Sequence, residues 1–233
     1  MPSEGSRRYV CVLDPATKFA ALVAGPPPKL TLDVACSLMA AAFTGQDNGD
    51  DVFRRLDELA DMCIDRSLTG ILGVMRGRVT GNRESYHDPN NSFIDQVLLR
   101  GVGLPITLSV VAIEIGRRID VPILGIGLPS HFIVREGPRE VYGDPFNDGA
   151  VYDRAGIVAR WSRLVGADHS FDELHLAPVS ERVILIRMLN NLRGQYLRNR
   201  DPRGMYALSV MRGAFSELGH EAVEHAKWVR HLN

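Results

Sequence analysis

Between residues 103 and 120, apolar side chains recur on nearly every face of a helical projection. Leu108, Val111, Ala112, Ile115 and Ile119 share one face, and Ile106, Val110 and Ile113 the next. Only Thr107, Glu114 and Arg118 form a narrow polar stripe, so this helix is expected in the middle of a domain. Two short β-type runs follow, at 122–127 and 131–136. A Gly137-Pro138 turn then leads to a third run, 139–144, which ends in Asp144-Pro145-Phe146. Helical periodicity flanks this core on both sides. Asp14-Pro15 signals a short helix through Val23, stopped by Gly25 and the prolines at 26–28. The stretch 30–43 places Leu32, Ala35, Leu38, Met39 and Phe43 on one face. After a polar loop at 45–50, the stretch 52–64 repeats Phe53, Leu56, Leu59, Ala60 and Cys63 at helical spacing. The pattern continues over 68–79 despite glycines at 70, 73 and 77. Residues 81–91 are turn formers, and Ser92-Phe93-Ile94-Asp95 has the form of a capping box opening a short helix to Leu99.

Downstream of the core, Asp153 caps a helix through Leu164. Ser180 opens a long helix striped by Leu185, Met188, Leu189, Leu192 and Tyr196, and Asp201-Pro202 starts another to Leu218. A last helix runs to Leu232. The final two are expected to pair antiparallel and to pack on the core or on a partner, since one such unit cannot bury its own face. The whole reads as an α+β chain: a central buried helix against a small antiparallel sheet, with a helical N-terminal region and C-terminal helices. Two domains are expected, 1–176 around the core and 177–233 helical.

Composition narrows the function classes. The 233 residues, 45% hydrophobic and 24% charged, have the balance of a soluble globular protein with one sizeable core. A formal net charge of −1 and the absence of a basic run argue against nucleic acid as a partner. No apolar run approaches the roughly 20 residues of a membrane span, and residues 1–8 lack the apolar segment of a signal peptide. Cys11, Cys36 and Cys63 are an odd number without metal-type spacing, which suits free thiols in a reducing, cytoplasmic setting. His220, Glu224 and His225 invite a metal reading, but their spacing does not put both histidines on one helical face. No metal or cofactor is expected.

A helix, a strand carrying a histidine and a strand ending in an aspartate follow one another in papain-like and transglutaminase-like folds. In those folds a cysteine at the helix N-terminus is activated by the helix dipole and the histidine, which the aspartate orients. Several longer strings carry a narrower resemblance: LDELAD (56–61), GNRESYHDPNNSFIDQVLLRGVGLPITLSVVAIEIGRRI (81–119), PSHFIVRE (129–136), DPFNDG (144–149) and RMLNNLRGQYLRNRD (187–201). Over residues 52–200 the chain resembles the SirB-type transglutaminase-like proteins, in which such a core precedes tetratricopeptide-like helices. The resemblance implies a papain/transglutaminase-like core. It aligns Gly103-Leu104-Pro105 with Gly-x-Cys, which puts Pro105 in the nucleophile's place, as is usual in that family. It also expects glycine where this chain has Asp120, Ser130 and Asp148.

The candidate site residues follow from that alignment. His131 and Asp144 are a retained base and orienting acid. Pro105 marks the vacant nucleophile position, and Thr107, two residues on, is a weak hydroxyl substitute. Asn91 and Ser92 offer donors to a cleft, although helix capping also explains them. Tyr86 lines the cleft or an exposed loop, and Ser130 and Phe146 flank the His–Asp pair. Three function classes remain open. The first is a non-enzymatic binding or regulatory protein that holds a protein or small-molecule partner in the cleft or on the C-terminal helices. The second is a hydrolase or acyl-group transferase that uses His131–Asp144 without a cysteine. The third is a purely structural module.

Overall fold

The computed structural model describes residues 14–25, 30–137, 139–165 and 171–221. The chain enters through α1 (Pro15–Ala24), α2 (Leu32–Thr44), α3 (Gly49–Asp61) and α4 (Leu68–Met75). Asp14 caps α1 by accepting from the N–H groups of Ala16 and Thr17, with Pro15 in the first turn. Helix α4 is shorter than the run 68–79 suggests. Gly77 adopts φ 77°, which turns the chain out of the helix. Thr80–Gly81 (β1) then lies beside the later segment Val102–Gly103 as a short parallel pair.

A 3₁₀ turn over Pro89–Ser92 leads into α5 (Ile94–Arg100). The capping box does not form. Ser92 is the last residue of the 3₁₀ turn, so Phe93 becomes the N-cap and no side chain caps the helix. Asp95 instead accepts from Asn48 Nδ2 at 2.9 Å. Val102–Gly103 forms β2, and α6 (Pro105–Arg118) follows with Pro105 at its first position. Leu108, Val110, Val111, Ala112 and Ile115 are fully buried, as the sequence pattern predicts.

The sheet is built from β3 (Ile123–Ile126), β4 (Ile133–Glu136), β5 (Tyr142–Asp144) and β6 (Ala150–Tyr152). After α7 (Arg154–Val165) it gains β7 (Pro178–Val179). Among the described residues the order is β6-β5-β4-β3-β7, antiparallel throughout. Helix α6 lies against β3 and β4, and α4 against β5. Gly143 permits the α4 contact, because a Cβ there would stand 2.5 Å from Leu72 Cδ1. The α+β arrangement of a buried central helix on an antiparallel sheet is therefore present.

The chain closes with α8 (Glu181–Asn199) and α9 (Pro202–Gly213). Asp153, Ser180 and Asp201 cap α7, α8 and α9 as predicted, each side chain accepting backbone N–H bonds. Leu185, Met188, Leu189 and Leu192 of the predicted stripe are buried in the same core as α2 and α6. Helix α9 ends at Gly213 rather than Leu218. The break turns Phe215 inward, where it is 1% exposed and packs on Phe19 with ring centroids 6.2 Å apart. The helix expected up to Leu232, its antiparallel pairing, and the structure around Glu224 and His225 lie outside the described residues.

The polar stripe on α6 is an inter-helix tie rather than a solvated face. Glu114 is 1% exposed, and its Oε1 accepts from Leu32 N–H at 3.0 Å. That N–H opens α2, whose N-cap Thr31 makes no side-chain capping bond. Glu114 Oε2 meets Arg117 Nε at 2.7 Å and Arg118 Nη1 at 2.9 Å. Both arginines reach Asp33 on α2, at 2.7 and 2.8 Å, and Arg118 also reaches Asp57 on α3 at 2.6 Å. Burial, with the charge of Asp33, pushes the Glu114 carboxyl up against the pull of the arginines. Burial also raises Asp33, but bonds from Thr31 and Arg118 and the charge of Arg117 outweigh it and hold that carboxyl below its usual range. A second buried carboxylate does a similar job, Glu136 at the end of β4 accepting from Leu68 N–H, the first of α4, at 3.0 Å.

Asp120, Ser130 and Asp148 take φ of 57°, 60° and 53°, so the three positions where the family resemblance expects glycine are left-handed. Asp148 has local support: its Oδ1 accepts from Thr80 Oγ1 at 2.8 Å and its carbonyl from Arg76 Nε at 3.1 Å. Asp120 is exposed. Relief of its strain in Asp120→Gly should exceed the added freedom of the unfolded chain and stabilise the protein by about 0.5–1 kcal/mol. The check is a higher urea midpoint at unchanged m; a lower midpoint would show that the Asp120 side chain itself holds the turn.

Candidate functional site

The β4–β5 pairing sets Val134 opposite Gly143, so the start of β4 and the end of β5 lie at one edge of the sheet. His131 precedes β4 and Asp144 ends β5, and this edge brings His131 Nε2 to 2.9 Å from Asp144 Oδ2. Asp144 is fully buried and caps the 3₁₀ turn Pro145–Asn147. Its Oδ1 accepts from Asn147 N–H at 3.3 Å, while Oδ2 also accepts from the Asn147 amide and from Arg160 Nε at 3.3 Å. Burial alone would raise the Asp144 carboxyl. The hydrogen bond and charge of His131, with Asn147 and Arg160, overcome it and hold the group below the usual carboxylate range. An ionised Asp144 only accepts, so Nε2 of His131 carries the proton it donates, and Nδ1 has no partner among the described residues.

His131 faces a cavity of about 500 Å3, open mouth included, lined by Tyr86, Pro105, Ile106, Ser130, His131, Phe132, Arg187 and Asn191. Pro105 and Ile106, from the buried first turn of α6, share this lining with the imidazole. Tyr86, Ser130 and Asn191 are exposed at the rim. Phe146 lies one layer back, packed edge-on to both Tyr86 and His131 at 6.0 and 6.1 Å. The fold thus gathers Pro105, His131, Ser130 and Tyr86 around one space, with Asp144 behind the histidine.

Asn91, Ser92 and Thr107, like Phe146, do not line it. Asn91 is fully buried, but its Nδ2 donates to the carbonyls of Ser85 (2.7 Å) and Tyr86 (3.3 Å), and its Oδ1 accepts from Asn82 at 3.0 Å. It therefore shapes the loop that carries Tyr86 rather than contacting a ligand. Ser92 and Thr107 are buried hydroxyls without a hydrogen-bond partner and do not line the cavity. With no base in reach, the Thr107 hydroxyl has no route to activation. Cys36 is fully buried beside Met188, and Cys63 donates to the Asp65 carbonyl at 3.2 Å. Burial raises both thiols, and neither lines the cavity. Cys11 lies outside the described residues. No cluster of three metal-ligating side chains occurs among the described residues, and no helix there is long and apolar enough to cross a membrane.

Arg187 and Asn191 are absent from the sequence candidates. They stand four apart on α8, beside its apolar stripe, and that i, i+4 polar pair within RMLNNLRGQYLRNRD was the available signal. Arg187 Nη2 donates to the carbonyls of Leu128 (3.0 Å) and His131 (3.2 Å), and its guanidinium lies 5.2 Å from the centre of the Phe132 ring. Arg160 and Asn147, which hold Asp144, were equally invisible without the fold.

With the geometry in place, comparison with known proteins adds a lineage. Residues 51–190 match the family described as the transglutaminase-like superfamily. The chain belongs to that superfamily. The matched region runs from α3 into α8 and contains Pro105, His131, Asp144 and Arg187. Relatives include a UPF0162 protein of Xylella fastidiosa, 37% identical over 122 residues (50% of this chain, 43% of that one). Another is a UPF0162 protein of Vibrio cholerae, 35% identical over 125 residues (51% and 45%). Human F-box only protein 21 is 40% identical over 122 residues (48% and 18%). The chain thus spans less than half the length of these relatives. No solved structure matches it.

The depressed Asp144 makes a pH-dependent prediction. Its ionised form stabilises the fold fully above the ordinary value of 3.8, and that contribution is lost as pH falls through the lower folded value. Asp144→Asn should cost on the order of 1–3 kcal/mol at pH 7, and the deficit should shrink at pH 3, below the ordinary value of 3.8, where the unfolded chain takes up a proton that the native carboxyl resists. Urea unfolding at both pH values checks this. A deficit unchanged at pH 3 would show that shape, not charge, is what the site needs from Asp144.

Proposed function

We propose that this chain is a SirB-type member of the transglutaminase-like superfamily, with the papain-like arrangement of helix and sheet, that binds a ligand without a thiol nucleophile. Its cleft and its tetratricopeptide-like C-terminal helices, residues 177–233, hold the partner, in a cytoplasmic setting. The observation that carries this reading is the pairing of Pro105 with His131 across one cavity. An oriented imidazole and a helix N-terminus meet at the place where a thiol would sit, and the residue there is a proline with nothing to attack with. Proline at a first helical position also costs the helix nothing, because that N–H would have no intrahelical partner.

A second reading rests on the unengaged His131 Nδ1. Facing an open cavity, with Asp144 fixing the other nitrogen, it is placed to take a proton from a bound water, as a Cys-independent hydrolase or acyl-group transferase requires. Substrate turnover abolished by His131→Ala would select this alternative.

Pro105→Cys tests the vacant position directly. The new thiol should meet the helix dipole and the oriented imidazole, which lower a thiol from about 8.5 towards 3.5–7.5. It should alkylate faster near pH 6 than Cys63, and His131→Ala should remove that advantage. Loss of the proline should cost about 1 kcal/mol or less, so the variant should fold. A folded Pro105→Cys protein whose thiol titrates normally would leave the His–Asp pair a structural role alone.

A further inference from the structure

The cavity beside His131 has one feature that the vacant nucleophile does not explain. Arg187 is a half-buried cation, and no carboxylate pairs with it among the described residues. None of the eight cavity-lining residues is acidic. The nearest carboxylate of the site, Asp144, stands behind the imidazole and already accepts from His131, Asn147 and Arg160. A guanidinium offers five N–H donors in a rigid fork. Nη2 serves the Leu128 and His131 carbonyls, while Nε and Nη1 have no protein partner among the described residues. Both remain accessible rather than sealed in the protein, so an anion in the cavity can take up a charge-assisted bond there; burial lowers the Arg187 pKa.

The surroundings hold the guanidinium where it is. Its central carbon stands over the Phe132 ring, and its Nη2 bonds tie it to the chain on both sides of Ser130. Gly127 leaves the room it needs, since a Cβ there would stand 2.3 Å from Arg187 Nη1. Beyond the guanidinium the lining divides by chemistry. Pro105, Ile106 and Phe132 give an apolar surface, and Tyr86, Ser130 and Asn191 put hydroxyl and amide groups at the rim.

We infer that this cavity binds a small amphiphilic oxyanion, its anionic head clamped by Arg187 and its apolar part resting on Pro105, Ile106 and Phe132. The inference rests on the ligand-binding reading of the cleft and names the ligand's chemical class. Carboxylate and phosphoryl heads both accept charge-assisted bonds from a guanidinium donor, and the experiment separates them.

The full chain, labelled with 15N, is titrated at constant ionic strength with sodium butyrate, with inorganic phosphate and with neutral butyramide. Saturable shifts of the Arg187 Nε–H and of the amides of Ser130, His131 and Phe132 with either anion, and far weaker shifts with butyramide, are the expected result. Butyrate in that role makes the head a carboxylate, and phosphate makes it a phosphoryl group. Arg187→Lys, which keeps the charge but loses the guanidinium anchored on two carbonyls, should weaken binding about tenfold or more. Gly127→Ala, which displaces the guanidinium without removing it, should weaken binding as well, and the dispersion of each variant's spectrum reports its fold independently. Butyramide binding as well as butyrate would overturn the oxyanion clamp while leaving the cleft a binding site. Cavity resonances unmoved by all three probes would overturn the clamp and the ligand-binding reading together. Unchanged anion affinity in both folded variants would remove Arg187 from the site.

Discussion

Glu114 fixes where the central helix sits. A carboxylate in the middle of an otherwise apolar helix is tolerable only with partners, and here they come from α2 and α6 and link on to α3. Leu32 N–H opens α2, Arg117 and Arg118 lie on α6 itself, and these arginines carry the connection to Asp33 on α2 and Asp57 on α3. Buried ion networks of this kind add little net stability over a well-packed apolar core, but breaking one by removing a single partner is costly. Their effect is on registry. A slide of α6 along its axis would break the bonds to Leu32, Asp33 and Asp57 at once, although the pairs of Glu114 with Arg117 and Arg118 would move with the helix. The N-terminus of α6, and with it Pro105 and the cavity, is therefore held from the far end of the helix.

The central helix and the His–Asp pair were legible in the sequence because each rests on a local regularity. Residues 105–118 are apolar on almost every face, and a histidine and an aspartate at the ends of two short β-type runs need only a tight hairpin to meet. The helix starts at Asp14, Asp153, Ser180 and Asp201 were legible for the same reason, since an N-cap acts within one turn. What the sequence hid depends on partners distant along the chain. Ser92 has the spacing of a capping residue, yet a 3₁₀ turn uses it first. Asn91 has donors suited to a cleft, yet the loop at 82–86 satisfies them. Arg187 belongs to the site only because α8 packs back across the β3–β4 connection, 56 residues from His131 along the chain.

The site divides its polar groups by function. Asp144 stands behind the imidazole with Asn147 and Arg160 bonded to it, and the imidazole is the one of its partners that also reaches the cavity. Arg187 stands apart from that group, fixed by backbone carbonyls, with Nη1 against Gly127 and Nε without a protein partner among the described residues. The first group sets the ring's orientation whatever occupies residue 105, and the second sets the charge that any occupant of the cavity meets.

The two buried glutamates also bear on how the molecule opens. Helices α2 and α4 each have their first N–H held by a carboxylate from elsewhere in the fold, Glu114 on α6 and Glu136 on β4. Fraying at either start breaks a contact with the central helix or the sheet as well as a turn of the helix itself. Amide hydrogens at those two helix starts should thus exchange with solvent in step with the core and not ahead of it, binding the N-terminal helices and the sheet into one cooperative unit.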